Sequence, residues 1–461
     1  MIKVLLVNTP DDKKPVNRDM AGGLGFDRSK TTVLPPMDLL NYATFLEQKG
    51  YSVVLFDSQV ESPAQEQIER IANQFKPNVT ILTASLPSVD NDISFAKWLK
   101  GILPFSSQII FKIGTRFRPI VEKILRSSGC TYCIIGECDL VIDQILTGHT
   151  MEGTARLLND EYHEQQETLL KDISQLPIPN RKLLNNDAYR YPALGDKTTT
   201  MQTSRGCSFS CSYYCPYPLV QGKTWRAMNA SRVVSEIETI IRENKIENIL
   251  FRDATFTLDK KRTQEICHLI IEKSLSFSWW CETRIDCLGI DLIDIMKKAG
   301  CVGMNIGVET GDEALLAERA KQGVTLSKII QLTQHCKKVD IKLRVLLMMG
   351  LPGETKQTLY KTFKLVEQVR PDYIGLTTVT PYPGTPFYED ALKNHWIKTF
   401  DINTFGGHGY NTQIDPLTSE DLKFAMDKIH MAYRFGLEDS ATTKAGKDKL
   451  QKEFLEWVEL Q

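Results

Sequence analysis

The sequence predicts an α/β fold: a doubly wound, Rossmann-like sheet at the N-terminus, a partial (β/α)6 barrel of the TIM type, and a helical C-terminal segment. Three observations carry this. Short apolar strands alternate with amphipathic helices in residues 1–150, the pattern of a parallel sheet with helices on both faces. The prolines of Gln175-Leu176-Pro177-Ile178-Pro179-Asn180 then stiffen the chain, because each biases the residue before it away from helix. After them a second alternation starts and repeats at roughly 30-residue intervals. With 461 residues the chain is too long for one ordinary core. The expected segments are 1–150, a linker 151–195, a barrel 196–390 and a C-terminal region 391–461.

In the first series Lys3–Asn8 reads as a strand and Met37–Lys49 as a helix stopped by Gly50. Tyr51–Phe56 follows as a strand, Ala64–Gln74 as a helix, Val79–Thr83 as a strand and Ile93–Ile102 as a helix. Gln108–Ile113 and Cys133–Ile135 complete the strands, ahead of Gly136-Glu137. The second series offers strands at Thr198–Ser204, Asn248–Asp253, Phe277–Arg284, Gly303–Glu309, Leu343–Gly350 and Tyr373–Thr380. Helices fill the gaps near Ser231–Arg242, Arg262–Lys273, Asp291–Lys298, Leu326–Val339 and Thr358–Val369. Six units rather than eight imply an open barrel. From Phe387 onward the chain reads as helical with a charged tail.

The formal net charge is −1 and the basic residues are scattered, which is not the footprint of a nucleic-acid binder. The opening Met1-Ile2-Lys3-Val4-Leu5-Leu6 is read as strand rather than signal peptide. No apolar run approaches the roughly 20 residues of a membrane-spanning helix. A cytoplasmic protein with neither nucleic acid nor membrane as partner is the expectation.

Of the 11 cysteines, Cys130, Cys133, Cys138, Cys267, Cys281, Cys287, Cys301 and Cys336 are scattered and read as ordinary packing thiols. Cys207, Cys211 and Cys215 differ: they stand on one loop entered by Gly206, directly after the first barrel strand. Three thiolates so close can converge on one inorganic cluster, and a four-iron cube held by three cysteines leaves one iron open. The alternative, a structural zinc site, usually draws four ligands from two separated knuckles.

This loop, Arg205-Gly206-Cys207-Ser208-Phe209-Ser210-Cys211-Ser212-Tyr213-Tyr214-Cys215-Pro216, resembles the signature of the radical S-adenosylmethionine (SAM) superfamily. The superfamily's usual spacing is CxxxCxxC, whereas this chain has one further residue before Cys215. The surrounding Pro216-Tyr217-Pro218 and Gln221-Gly222-Lys223-Thr224-Trp225-Arg226 are similar to its cobalamin-binding branch. The resemblance implies a [4Fe–4S] cluster on Cys207, Cys211 and Cys215 whose open iron chelates SAM, and reductive cleavage giving a 5′-deoxyadenosyl radical. It also implies an electron donor such as a flavodoxin or ferredoxin. Strand ends carry further matches: Phe251-Arg252-Asp253-Ala254-Thr255, Glu282-Thr283-Arg284-Ile285-Asp286, Gly307-Val308-Glu309-Thr310-Gly311 and Met349-Gly350-Leu351-Pro352-Gly353-Glu354-Thr355. Asp253, Arg284 and Glu309 are thereby candidates to bind cofactor, since charges at the tips of apolar strands are costly to bury without a ligand. For each, a structural ion pair at the barrel rim is the alternative. No catalytic acid, base or nucleophile stands out.

The N-terminal series lacks a GxGxxG turn, which argues against a dinucleotide site. Leu34-Pro35-Pro36-Met37-Asp38-Leu39-Leu40, Thr83-Ala84-Ser85-Leu86-Pro87-Ser88, Ile113-Gly114-Thr115 and Ile135-Gly136-Glu137 resemble the cobalamin-binding domain that precedes radical SAM barrels. No DxHxxG is present and no histidine precedes His149, so cobalamin is expected without a histidine ligand from the body of this domain. The resemblance implies a methyltransferase acting on an unactivated carbon of a small molecule or peptide. Two alternatives stay open: a rearrangement, cyclisation or oxidation with the same cofactors, and a non-enzymatic iron–sulfur or cobalamin carrier.

Overall fold

A computed structural model describes residues 1–10, 15–18, 25–27, 31–61, 63–405, 407–437 and 441–459. The chain divides into two compact units, Met1–Cys207 with Pro216–Leu250, and Ser208–Cys215 with Phe251–Gln461.

The first unit is built on a seven-stranded sheet in the order Ser52–Asp57, Lys3–Asn8, Val79–Ala84, Gln108–Ile113, Tyr132–Ile134, Thr154–Leu158, Glu161–Gln165. The first five are parallel and the last two antiparallel. Val79–Ala84 is buried at every position, as expected of a central parallel strand covered on both faces. Helices Met37–Gln48, Ala64–Phe75, Val89–Ile102 and Arg118–Ser128 lie between the strands in the chain. This is the doubly wound arrangement expected from the alternation. Its chain order reverses between Lys3–Asn8 and Val79–Ala84, the point beyond whose strand ends doubly wound folds take their ligands.

The last two strands fall where broken periodicity read as connection. They form a hairpin turned by Asn159 and Asp160, both at positive φ, the geometry a two-residue hairpin turn needs. Glu161–Gln165 is mostly exposed and Thr154–Leu158 is buried only at its start, so neither shows the apolar alternation that marks a strand. The proline segment is also docked: the Asn180 N–H donates to Thr44 Oγ1 (2.8 Å) and its Nδ2 to Glu47 Oε2 (2.9 Å). Next to it, fully buried Arg181 donates to Glu236 at 2.9 Å and to the Thr200 carbonyl at 3.1 Å.

All six strands of the second series are present: Thr198–Met201 and Asn248–Phe251, then Ser278–Thr283, Cys301–Glu309, Lys342–Met349 and Tyr373–Thr378. The last four pair side by side in parallel. Glu282, Asn305, Arg344 and Tyr373 occupy one row across these strands. The alternate positions, among them Trp279, Cys281, Met304, Ile306, Leu343 and Val345, are buried and apolar. Helices Ala230–Arg242, Lys260–Glu272, Ile290–Lys298, Leu326–Lys338 and Lys356–Val369 match the expected ones within two residues at each end. Four of the five starts are capped by side chains: Asn229, Asp259, Thr325 and Thr355 accept a backbone N–H three residues on. Helices Pro386–Lys393, Ser419–Gly436 and Ala441–Glu459 make up the C-terminal region. Phe454 anchors the last of them against Tyr360, Phe363 and Phe424, at ring separations of 5.5, 4.9 and 5.8 Å. Among the described residues no helix is long and apolar enough to cross a membrane.

Trp280 lies flat across its neighbouring strand at Gly303, where a Cβ would stand 2.0 Å from the indole ring. Gly303→Ala is therefore expected to destabilise by about 1–3 kcal/mol through overpacking. Gly101→Ala, at a helical position with open space around it, should gain about 0.5–1 kcal/mol. Urea unfolding followed by tryptophan fluorescence checks both; equal midpoints for the two variants would contradict this packing.

Candidate functional site

The cysteine loop is entered through a two-residue antiparallel pairing, Ser204 with Ala227 and Arg205 with Arg226. Gly206 follows at φ +83°, and a Cβ there would stand 2.1 Å from the Thr224 carbonyl oxygen. The Cys207 N–H donates to the Gly222 carbonyl at 3.1 Å, and its side chain is buried. In the second unit, Ser210–Tyr213 form a short 3-10 turn. The Cys215 N–H then reaches the Cys211 carbonyl at 3.0 Å, which closes a turn of α-helical span. Residues four apart in such a turn share a face, so the further residue before Cys215 keeps it on the side of Cys211. Cys211 and Cys215 are partly exposed, and none of the three thiols is in a disulfide. Among the described residues no three His, Cys, Asp or Glu side chains are gathered into a metal-binding set.

Arg284 reaches this turn from the end of Ser278–Thr283. Its Nη1 lies 3.7 Å from Cys211 Sγ and its guanidinium 3.8 Å from the centre of the Phe209 ring. Asp286 braces it from the other side, accepting from Nε at 3.0 Å and Nη2 at 2.8 Å. Burial opposes the Arg284 charge, but Asp286 and the surrounding negative groups hold its pKa above the ordinary arginine value.

Glu309 ends its strand at φ +68°, a left-handed conformation unusual for a side-chain-bearing residue, beside a register shift between Gly307 and Glu309. Lys321 stabilises the kink, with its Nζ 3.1 Å from Glu309 Oε1 and 2.8 Å from the Gly307 carbonyl. Tyr214 lies within the field of this group. Burial first, then the charges of Glu309, Cys211 and Cys215, raise its pKa well above 10.0, while Arg284 acts in the opposite sense. Its hydroxyl has no hydrogen-bond partner among the described residues. The structure thus brings Arg284 to the Cys211–Cys215 turn, while Glu309 pairs with Lys321 and bears on the turn as a charge felt by Tyr214. Asp253 is fully buried, and its charge supports Arg262, whose pKa burial lowers.

Sequence reasoning missed Lys321 and Arg18, since a lone basic residue in a connection carries no periodic or motif signal. Arg18 sits near the chain reversal of the first unit's sheet. Its Nη2 donates to Asp92 at 2.7 Å, and Asp92 also accepts from the Ser88 hydroxyl at 2.7 Å. The Nε and Nη1 groups of Arg18 are buried without a hydrogen-bond partner among the described residues. Glu354, quoted above only within a turn motif, is also buried. It accepts the Gly350 N–H at 2.5 Å, while its Oε1 has no partner among the described residues. Burial drives its pKa to about 8 against the lowering by the backbone N–H groups of Gly350 and Leu351.

Residues 201–366 match the radical SAM superfamily. Over 448 residues the chain is 27% identical to an uncharacterized methyltransferase of Pyrococcus horikoshii, covering 94% of this chain and 92% of that protein. Over 389 residues it is 23% identical to the anaerobic magnesium-protoporphyrin IX monomethyl ester cyclase of Cereibacter sphaeroides, covering 80% of this chain and 62% of the cyclase. Among solved structures, the radical SAM methyltransferase TsrM of Kitasatospora setae, with cobalamin and a [4Fe–4S] cluster bound, superposes at a TM-score of 0.67. That likeness covers 86% of this chain and 75% of TsrM at 16% identity, and it establishes a common fold.

Glu354 should leave a signature in stability against pH. Its carboxyl titrates near 4.5 ordinarily and near 8 when folded, so between those values the folded chain holds a proton that the unfolded chain has released. The stability this group contributes is complete below pH 4.5 and drains away as pH rises through 8. Glu354→Gln should flatten that part of the profile in denaturant titrations between the two limits. Superimposable slopes for variant and parent would show that the buried carboxyl does not retain its proton.

Proposed function

We propose, from the premise that this chain belongs to the radical SAM superfamily, that it is an enzyme that cleaves SAM with a [4Fe–4S] cluster and, with cobalamin, methylates an unactivated carbon of a small molecule or peptide. The observation that carries this is the three-cysteine loop within the matched residues, with Arg284 set against Cys211. The donor set fits the cluster: three thiols outside any disulfide, two of them partly exposed on one face of a turn, with a guanidinium to offset their charge. Cys207, Cys211 and Cys215 would hold it. The first unit fits cobalamin through the two unsatisfied N–H groups of Arg18, buried at the side of the sheet where doubly wound folds take ligands. When bound, the cluster supplies an electron and an open iron for cleaving a SAM carbon–sulfur bond, and cobalamin supplies a methyl carrier.

The protein's own part is binding, orientation and exclusion of water. Arg284 donates toward the Cys211 sulfur and is held in that pose by Asp286 and the Phe209 ring. Glu309, fixed by Lys321, offers a carboxylate at a strand end, where a SAM amine or hydroxyl can be received. Asp253 would serve at the neighbouring strand end. Tyr214, buried within the cysteine turn, would help keep water away. The methyltransferase relative and the fold shared with TsrM support methyl transfer; the cyclase relative is the reason to test cyclisation beside it. A flavodoxin or ferredoxin is the proposed electron donor.

Product counting under anaerobic, reducing conditions separates the readings. Methyl transfer should yield S-adenosylhomocysteine and 5′-deoxyadenosine in equal amounts per methylated product. Rearrangement or cyclisation gives 5′-deoxyadenosine alone, and a carrier gives neither. Replacing Cys207, Cys211 and Cys215 together by Ala should abolish both products and the cluster's visible absorbance; a cluster that survives the triple replacement refutes the assignment. Arg18→Met should weaken cobalamin binding about ten- to a hundredfold, the loss of a charged hydrogen-bond donor. Absorbance titration reads this without turnover, and an unaltered dissociation constant would remove Arg18 from the site.

A further inference from the structure

Glu137 has no part in the chemistry above, yet its carboxylate accepts from two buried arginines. It follows the strand Tyr132–Ile134 in the Ile135-Gly136-Glu137 turn. Arg226 donates to it twice, Nη1 to Oε2 at 2.8 Å and Nη2 to Oε1 at 2.5 Å. Arg205 Nη1 reaches Oε2 at 3.3 Å and also joins Asp139, with Nη1 to Oδ2 at 2.7 Å and Nη2 to Oδ1 at 3.0 Å. The four side chains are between 6% and 11% exposed.

Arg205 and Arg226 are cross-strand neighbours in the pairing that closes the cysteine loop. Two like charges there repel each other, and buried they would force the neck apart. Glu137 and Asp139, from one short stretch, neutralise both and bring the group to zero net charge. The neck in turn bears on Cys207. Arg226 Nη2 donates to the Gln221 carbonyl at 2.8 Å, and the adjacent Gly222 carbonyl accepts the Cys207 N–H at 3.1 Å. Arg205 stands two residues before Cys207 on the facing strand.

We propose that Glu137 is a positioning residue for the iron–sulfur cluster: by neutralising the Arg205–Arg226 neck it sets where Cys207 presents its sulfur. This rests on Cys207 being a cluster ligand. It gives the N-terminal sheet a direct hold on the cluster loop through a buried charge group, apart from any contact with cobalamin.

The test uses the full chain, anaerobically reconstituted. Glu137→Gln keeps the size and leaves two buried arginines against one carboxylate. Its cluster should be stripped by an iron chelator about tenfold faster than the parent's, the scale of loss when a metal ligand's support is removed. The electron paramagnetic resonance of the reduced cluster should shift with it. Glu137→Asp should recover part of the retention. The double variant Glu137→Gln with Arg226→Gln, balanced again in charge, should recover most of it. A residue that merely stabilises the fold would lower the melting temperature and leave both readouts, taken well below it, at their parent values; that result overturns the proposal. Should Glu137→Gln fail to fold, the double variant decides: retention like the parent's supports charge balance, and rapid stripping overturns it. A parent chain that takes up no cluster overturns the thiol reading itself, a distinct outcome.

Discussion

The cysteine loop can close only because residue 206 has no side chain. The chain turns there at φ +83°, with a backbone carbonyl where a Cβ would have to be. Any other residue would have to displace the Thr224 peptide, and with it the register that pairs Arg205 with Arg226. Cys207 follows at once, its N–H tied to Gly222 across the same neck. A loop so narrow at its base leaves Cys207 little freedom, and such restriction would lower the entropy of gathering thiols around the proposed cluster. The close approach carries a cost: it sets two guanidinium groups side by side away from water, and the fold stays closed because two carboxylates meet them there.

The same logic recurs at the strand end that bears Glu309. A left-handed, side-chain-bearing residue costs about 1–3 kcal/mol and persists only where its surroundings over-determine it. Lys321 does this by bonding both the Glu309 carboxylate and the carbonyl of Gly307. A Cβ at Gly307 would meet the Lys321 ammonium at 2.2 Å, so a side chain there would have to push this lysine away from its partners. At Glu309 the strand end leaves the regular pleat, and its carboxylate is held by Lys321. Arg284 with Asp286 is the complementary device, a cation held rigid against a sulfur.

The fold was legible wherever burial imposed a period. Val79–Ala84, buried throughout, reads as one apolar run, and the barrel helices read from their apolar stripes. The hairpin Thr154–Gln165 was not legible, because its exposed residues carry no alternation and only its Asn159-Asp160 turn hints at it. The helix Arg118–Ser128 went unread although it has a clear stripe at Ile120, Val121, Ile124 and Leu125. The cysteine loop was singled out as a candidate by its spacing, and Arg284 and Glu309 by their place at strand ends. Lys321, Arg18 and the role of Glu137 were not, because each acts through a partner distant in sequence. Nothing local distinguishes Lys321 from a solvated lysine; only the carbonyl and carboxylate fourteen and twelve positions earlier do so.

The spacing of the cysteines shows how a departure from a motif can be absorbed by geometry. In the commoner pattern the second and third cysteines stand three apart, the period of a 3-10 turn; here they stand four apart. Had the extra residue entered extended backbone, it would have thrown the third thiol to the opposite face. Instead the 3-10 turn at Ser210–Tyr213 widens by one residue, and the bond from the Cys215 N–H to the Cys211 carbonyl has the span of an α-helix. Three and four residues both return a helical chain to about the same face. The insertion therefore changes how far the thiols rise along the turn more than the direction they face.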